Sequence, residues 1–117
     1  MKYMSHLKGR LKILNSKVLA LLGFASKAGK LSFGMNEAKV ALEKGKSKLI
    51  IVACDVSAKS QKEINFFSSN KDIKVLTLES ITIETVSEAV GRKCGIISVN
   101  DSGFADAISL GGYANDQ

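Results

Sequence analysis

The sequence predicts an α/β protein, a three-layer α/β/α sandwich built on a four-stranded mixed central sheet. Three observations lead there. Short β-branched runs alternate with segments of helical spacing along the chain. Glycines stand behind most of the helical segments, where a chain leaves a helix most easily. The composition, 45% hydrophobic but only 6% aromatic, fits an aliphatic core and not a disordered chain. At 117 residues one domain is expected, long enough to bury such a core without disulfide or metal staples.

Each element can be justified in order. Residues 1–14 form a basic lead-in, the domain occupies 15–112, and 113–117 are a tail. The first helix falls in "SKVLALLGFASKAG", where Val18, Leu19, Leu22 and Ala25 share a face; Asn15 or Ser16 is its N-cap and Gly29 its stop. "KLSFG", bounded by Gly29 and Gly34, is a short strand. The second helix, "NEAKVALEKG", buries Ala38, Ala41 and Leu42, with Gly45 at C′ and Lys44, Lys46 and Lys48 at the negative end of its dipole. "KLIIVACD" is a continuous apolar run and so a strand covered on both faces. "SAKSQKEINFFSSN" is a helix capped by Asp55 or Ser57, and "IKVLTLE" is a strand. "SITIETVSEAVG" turns Ile83, Val86, Ala89 and Val90 to one side, capped by Ser80 or Thr82 and ended by Gly91. "CGIISVN" is the last strand, and "SGFADAISLGG" a closing helix with Gly111 behind it.

Charge narrows the function. Residues 1–48 carry eleven Lys/Arg against two acids, a net +9, whereas residues 49–117 carry six against nine, a net −3. A domain with one strongly cationic half suggests a polyanionic partner; the plainer alternative is a basic tail that aids solubility. Cys54 and Cys94 sit in apolar runs without a CxxC spacing and read as reduced, buried residues. The single histidine, His6, lies in the polar start, so no metal site and no cofactor is expected. No apolar run approaches the roughly 20 residues of a membrane span. The start "MKYMSHLKGRLKILN" lacks the apolar centre and cleavage site of a secretory signal. A cytoplasmic protein without membrane attachment is expected.

Enzyme motifs fail one by one. "GFASKAGKL" has five residues between its glycines and Leu31 after Lys30, so it lacks the spacing and the magnesium-binding hydroxyl of a phosphate loop. No GxGxxG occurs. Asp55, Asp101 and Asp106 stand at or beyond strand ends, where turn and cap chemistry explains them. The informative stretch is "FGMNEAK". Gly34 comes where a strand passes into a helix, and free N–H groups there favour an anion. Asn36 offers a donor and an acceptor, and Glu37 could accept the N–H edge of a guanine. Lys27, Lys30 and Lys39 would supply charge for phosphates. A local explanation competes: Asn36 as N-cap and Glu37 as dipole partner need no ligand.

These residues resemble the kink-turn RNA-binding ribosomal proteins: the archaeal large-subunit seven-Ae type, its eukaryotic relatives and, most closely, the bacterial YlxQ-like branch. The resemblance runs from about Val18 to Leu110, through "LLGFASKAGKLSFG", "KLIIVACDVSAKSQKEI" and "VNDSGFADAI". It implies a non-enzymatic, ribosomal or ribosome-associated protein, monomeric, that binds an RNA bend flanked by sheared G·A pairs. A stand-alone recognition domain of an RNA-modifying system and a protein adaptor are the alternatives. The family motif of Gly, any residue, Asn, Glu, two residues and Lys matches here at Gly34, Asn36 and Glu37, with Met35 between. Its Lys position holds Val40, and Lys39 lies about 100° away around the helix. The family's second contact implies Arg92 and Lys93, on a base face or on phosphates; both also suit a helix C-terminus.

Overall fold

The computed structural model describes residues 16–113, the last three through their backbone alone. The expected lead-in, His6, Asn15 as a cap and the end of the tail lie outside these residues. Five helices and four strands alternate among the described residues: α1 (16–27), β1 (Leu31–Phe33), α2 (Gly34–Glu43), β2 (Leu49–Val52), α3 (Ala58–Asn70), β3 (Val75–Thr77), α4 (Ile83–Val90), β4 (Ile96–Val99) and α5 (Ser102–Tyr113).

The sheet order is β1-β4-β2-β3. Strand β4 lies between β1 and β2 and is antiparallel to both, while β2 and β3 run parallel, so the sheet is mixed. Every position of β2 and β4 is buried. Strands buried on both faces need helices on both faces, which is the physical reason for three layers. Fully buried Ile50, Ile51, Ile64, Ile97 and Ile108 fill the core, each side chain contributing about 1.5–3 kcal/mol by leaving water. Helix α1 is tied to α4 by the Ser26 hydroxyl, which donates to the Val90 carbonyl at 2.8 Å. Helix α2 is tied to α3 by an ion pair between Lys39 and Glu63.

The expected caps divide cleanly. Ser57 caps α3 by accepting from Ser60 N–H, and Thr82 caps α4 by accepting from Thr85 N–H. Asp55, the rival cap for α3, instead accepts from Ile83 N–H at 2.8 Å and so anchors the start of α4. Asp101 accepts from Phe104 N–H, the cap role expected of it. Helix α5 does not stop before Gly111 but continues to Tyr113; a glycine permits a helix to end and costs only about 1 kcal/mol inside one. Both cysteines are free thiols, Cys94 buried and Cys54 only half-buried. Burial pushes the Cys94 thiol up, against the lowering influence of Arg92.

Register decides what surrounds the informative stretch. Phe33 pairs with Ile97 and Val52 with Ile96. The outgoing ends of β1 and β2 therefore meet the incoming end of β4 at one edge of the sheet. The β1–α2 junction and the α4–β4 loop lie together there. Lys30 and Lys48 flank the opposite end, through the bonds Asn100 N–H to Lys30 C=O and Lys48 N–H to Val99 C=O.

Candidate nucleic-acid interface

The chain turns from β1 into α2 through one residue. Phe33 is extended (φ −110°, ψ 131°) and Gly34 follows at φ +88°. A Cβ on Gly34 would meet nothing within 4 Å. The glycine is therefore required by its backbone angle and not by crowding, and the space above it is open to a ligand.

Phe33 occupies the cap position and offers no side-chain cap. Glu37 compensates: its Oε1 accepts from Phe33 N–H at 3.2 Å. Its other oxygen, Oε2, accepts from Arg92 Nη2 at 2.8 Å. The Arg92 guanidinium also lies over the Phe33 ring, 5.0 Å from its centroid, within the range of a cation–π contact. Residues 33, 37 and 92 thus form one unit that joins the first turn of α2 to the α4–β4 loop. The two patches expected from the sequence are a single surface. Arg92 reaches it because Gly91 ends α4 in the left-handed conformation, φ +77°.

The local explanation of "FGMNEAK" holds for one residue and not the other. Glu37 does structural work at the helix start, yet its side chain stays 47% exposed. Each carboxylate oxygen has a second lone pair, so both remain able to accept. Asn36 is not the N-cap; it is exposed, and its side chain makes no hydrogen bond among the described residues. Met35 is half-buried against the core.

The lysines distribute differently from one another. Lys93 is exposed beside Arg92, and Lys27 is exposed at the end of α1. Lys30 is also exposed but sits at the start of β1, four residues before Gly34, roughly 13 Å at strand rise. Lys39 is turned to α3: it pairs with Glu63 and lies 4.5 Å from the centre of the Phe67 ring. A phosphate at Lys39 would have to share its ammonium with Glu63.

Two hollows flank the unit. One, of about 320 Å³, runs between α2 and the edge strand β1 and is bordered by Ser32, Asn36, Glu37, Val40, Lys44 and Lys46. The other, about 660 Å³, lies behind the α4–β4 loop and is lined by Asp55, Glu84 and Glu88 together with Arg92 and Lys93. The sequence reading gave Lys44 and Lys46 only to the helix dipole, and it missed Phe33 as the seat of Arg92. No spacing signal marks a contact between residues 37 and 92. No three His, Cys, Asp or Glu side chains among the described residues gather closely enough to hold a metal ion. No helix among them is long and apolar enough to cross a membrane.

The fold and this face define a small α/β/α protein whose Gly-Asn-Glu helix start is presented beside a basic loop. Residues 16–108 match the model of the ribosomal protein L7Ae/L30e/S12e/Gadd45 family, and the chain belongs to that family. Its relatives include the large ribosomal subunit protein eL30 of Methanospirillum hungatei, 33% identical over 74% of this chain and 88% of that protein. The RNA-binding protein YlxQ of Enterococcus faecium is 28% identical over 76% of this chain and 84% of its own. Among solved structures, a Bacillus halodurans protein of unknown function superposes with TM-score 0.77 at 25% identity, covering 82% of this chain and 96% of that one. The 15.5kD RNA binding protein of Giardia lamblia shares the fold, with TM-score 0.70 at 16% identity over 88% of both chains.

Proposed function

We propose that this chain is a non-enzymatic, ribosome-associated RNA-binding protein of the cytoplasm, and that it recognises a bent RNA flanked by G·A pairs. The observation that carries the reading is the Glu37 carboxylate, held from two sides by Phe33 N–H and Arg92 and still open to solvent beside an unengaged Asn36. Membership of a ribosomal-protein family and the RNA-binding names of two relatives support it.

In this reading the basic half of the chain draws in phosphates, a long-range and salt-sensitive step. Gly34 lets the groove approach the backbone. Guanine presents neighbouring N–H donors on one edge, which a pre-oriented carboxylate accepts without first losing rotamer freedom. Asn36 bonds the adjacent base edge through its amide. Arg92 and Lys93 grip the far side, and the face of Arg92 away from Phe33 is free for a base.

Binding to two RNAs, a G·A-flanked bend and a straight duplex, tests the reading. Glu37→Ala and Asn36→Ala should each weaken the bend by about 1–3 kcal/mol and leave the duplex nearly unchanged, as expected for lost base contacts. Lys27→Ala should weaken both alike and flatten the salt dependence. Equal losses on both RNAs from Glu37→Ala would overturn base reading.

A further inference from the structure

The cleft along α2 begins at the guanine-reading surface, with Asn36 and Glu37 on its border, and its remaining length, past Val40, is not used by that surface. Asn36, Val40 and Lys44 follow one another at four-residue intervals and so form one stripe of the helix. At 1.5 Å per residue the stripe is roughly 12 Å long, the reach of a few nucleotides. Its middle is apolar: Val40 is 49% exposed, the one large exposed hydrophobic residue of α2. Its far end is cationic, with Lys44 and Lys46 both exposed and without a partner among the described residues. Lys30 and Lys48 stand at the same end of the sheet. The opposite way out starts at Arg92 and Lys93 but then passes Asp55, Glu84 and Glu88 behind the α4–β4 loop, three carboxylates against two cations. Beyond Glu37 the charged groups lining the α2 cleft are Lys44 and Lys46, so a polyanion leaving the Glu37 surface is favoured along α2.

We propose that this cleft holds a single strand of RNA as it leaves the bend, with a base resting on Val40 and its phosphates on Lys44 and Lys46. The inference rests on the RNA reading of the Glu37 surface, from which the strand emerges. The chemistry suits an unpaired strand. A base freed from stacking has an apolar face to cover, and the half-exposed valine supplies a surface for it. Two ammonium groups beyond it match a backbone with a charge at every nucleotide.

The test uses the full chain and three RNAs: a blunt G·A-flanked bend, the same bend with a four-uridine tail on one or the other strand, and the tail alone. One of the tails should raise affinity about tenfold. The double variant Lys44→Ala, Lys46→Ala and the single variant Val40→Asp should each abolish that gain, while any loss on the blunt bend is matched on straight duplex, so that bend-over-duplex selectivity stays within about twofold. 4-Thiouridine in the tail should crosslink to residues 40–46. No gain from either tail, a gain that survives both variants, or crosslinks confined to α3 or α4 would overturn the proposal. Failure of the bend reading looks different: the blunt bend would then bind no better than duplex, while the tail alone would still bind in a salt-sensitive way and lose that binding in the two variants.

Discussion

Two cations of this protein sit in the same chemical setting and do different things. Lys39 lies between the Glu63 carboxylate and the Phe67 ring, and Arg92 lies between the Glu37 carboxylate and the Phe33 ring. The first unit is the more enclosed, with side chains 25% and 39% exposed against 57% and 47% for the second. The first joins α2 to its packing neighbour α3. The second joins the start of α2 to a loop 55 residues further along the chain. An enclosed pair of this kind resists exchange with solvent and serves packing. An exposed pair contributes little to stability, and each partner keeps donors, lone pairs or a ring face for a ligand. Both charges are already paired, so pairing does not separate the two units; exposure does, and it leaves the second with donors and lone pairs that the first has turned inward.

The largest expected effect breaks or sharpens that contrast on the RNA side. If Arg92 acts through Glu37, then Arg92→Ala should reduce discrimination between bend and duplex by about 1–3 kcal/mol in the parent chain, and by little in a Glu37→Ala background. If Arg92 only binds phosphate, the two losses add, and the salt slope falls by about one ion in either background. Arg92→Lys separates the cases further, since an ammonium keeps the charge but not the planar fork. Titrations of the four combinations against both RNAs decide between them.

A smaller effect is expected from Gly34→Ala. Its φ of +88° is strained for any residue with a Cβ, although no atom stands in the way. The cost is conformational, about 1–2 kcal/mol, and Gly34→Asn should lose less because asparagine tolerates positive φ. Denaturant midpoints read the difference. The strain acts at the junction that positions Phe33 and Glu37, so bend selectivity should fall along with stability. A stability loss with bend selectivity intact would show that the exposed unit does not depend on the turn.

Much of this was legible in the sequence, for local reasons. The Gly34 turn, the Ser57 and Thr82 caps, the Gly91 ending and the buried faces of α2 and β2 all follow from short-range spacing, because caps and periodicity are short-range physics. The Gly-Asn-Glu segment was visible for the same reason. What stayed hidden depends on the sheet. The order β1-β4-β2-β3 inserts the last strand between the first two, and only that insertion brings Arg92 to Glu37. Net charge could not show that Lys39 is paired; its partner Glu63, on α3, is 24 residues away. The end of α5 was misplaced because Gly111 favours a stop without enforcing one.

The smallest effect concerns that enclosed lysine. Lys39→Ala removes an ion pair and a contact with an aromatic face, together about 0.5–1 kcal/mol of stability. Glu63→Ala should cost a similar amount, and the double variant less than the sum, because each single change leaves the other partner without its counter-charge. In the RNA titrations Lys39→Ala should leave the bend nearly unaffected. Glu63→Ala is the sharper probe. It frees the ammonium, and if that group can then reach a phosphate, affinity should rise on bend and duplex alike, with a steeper salt dependence. A rise confined to the bend would instead place Lys39 at a base edge and erase the distinction between the two units.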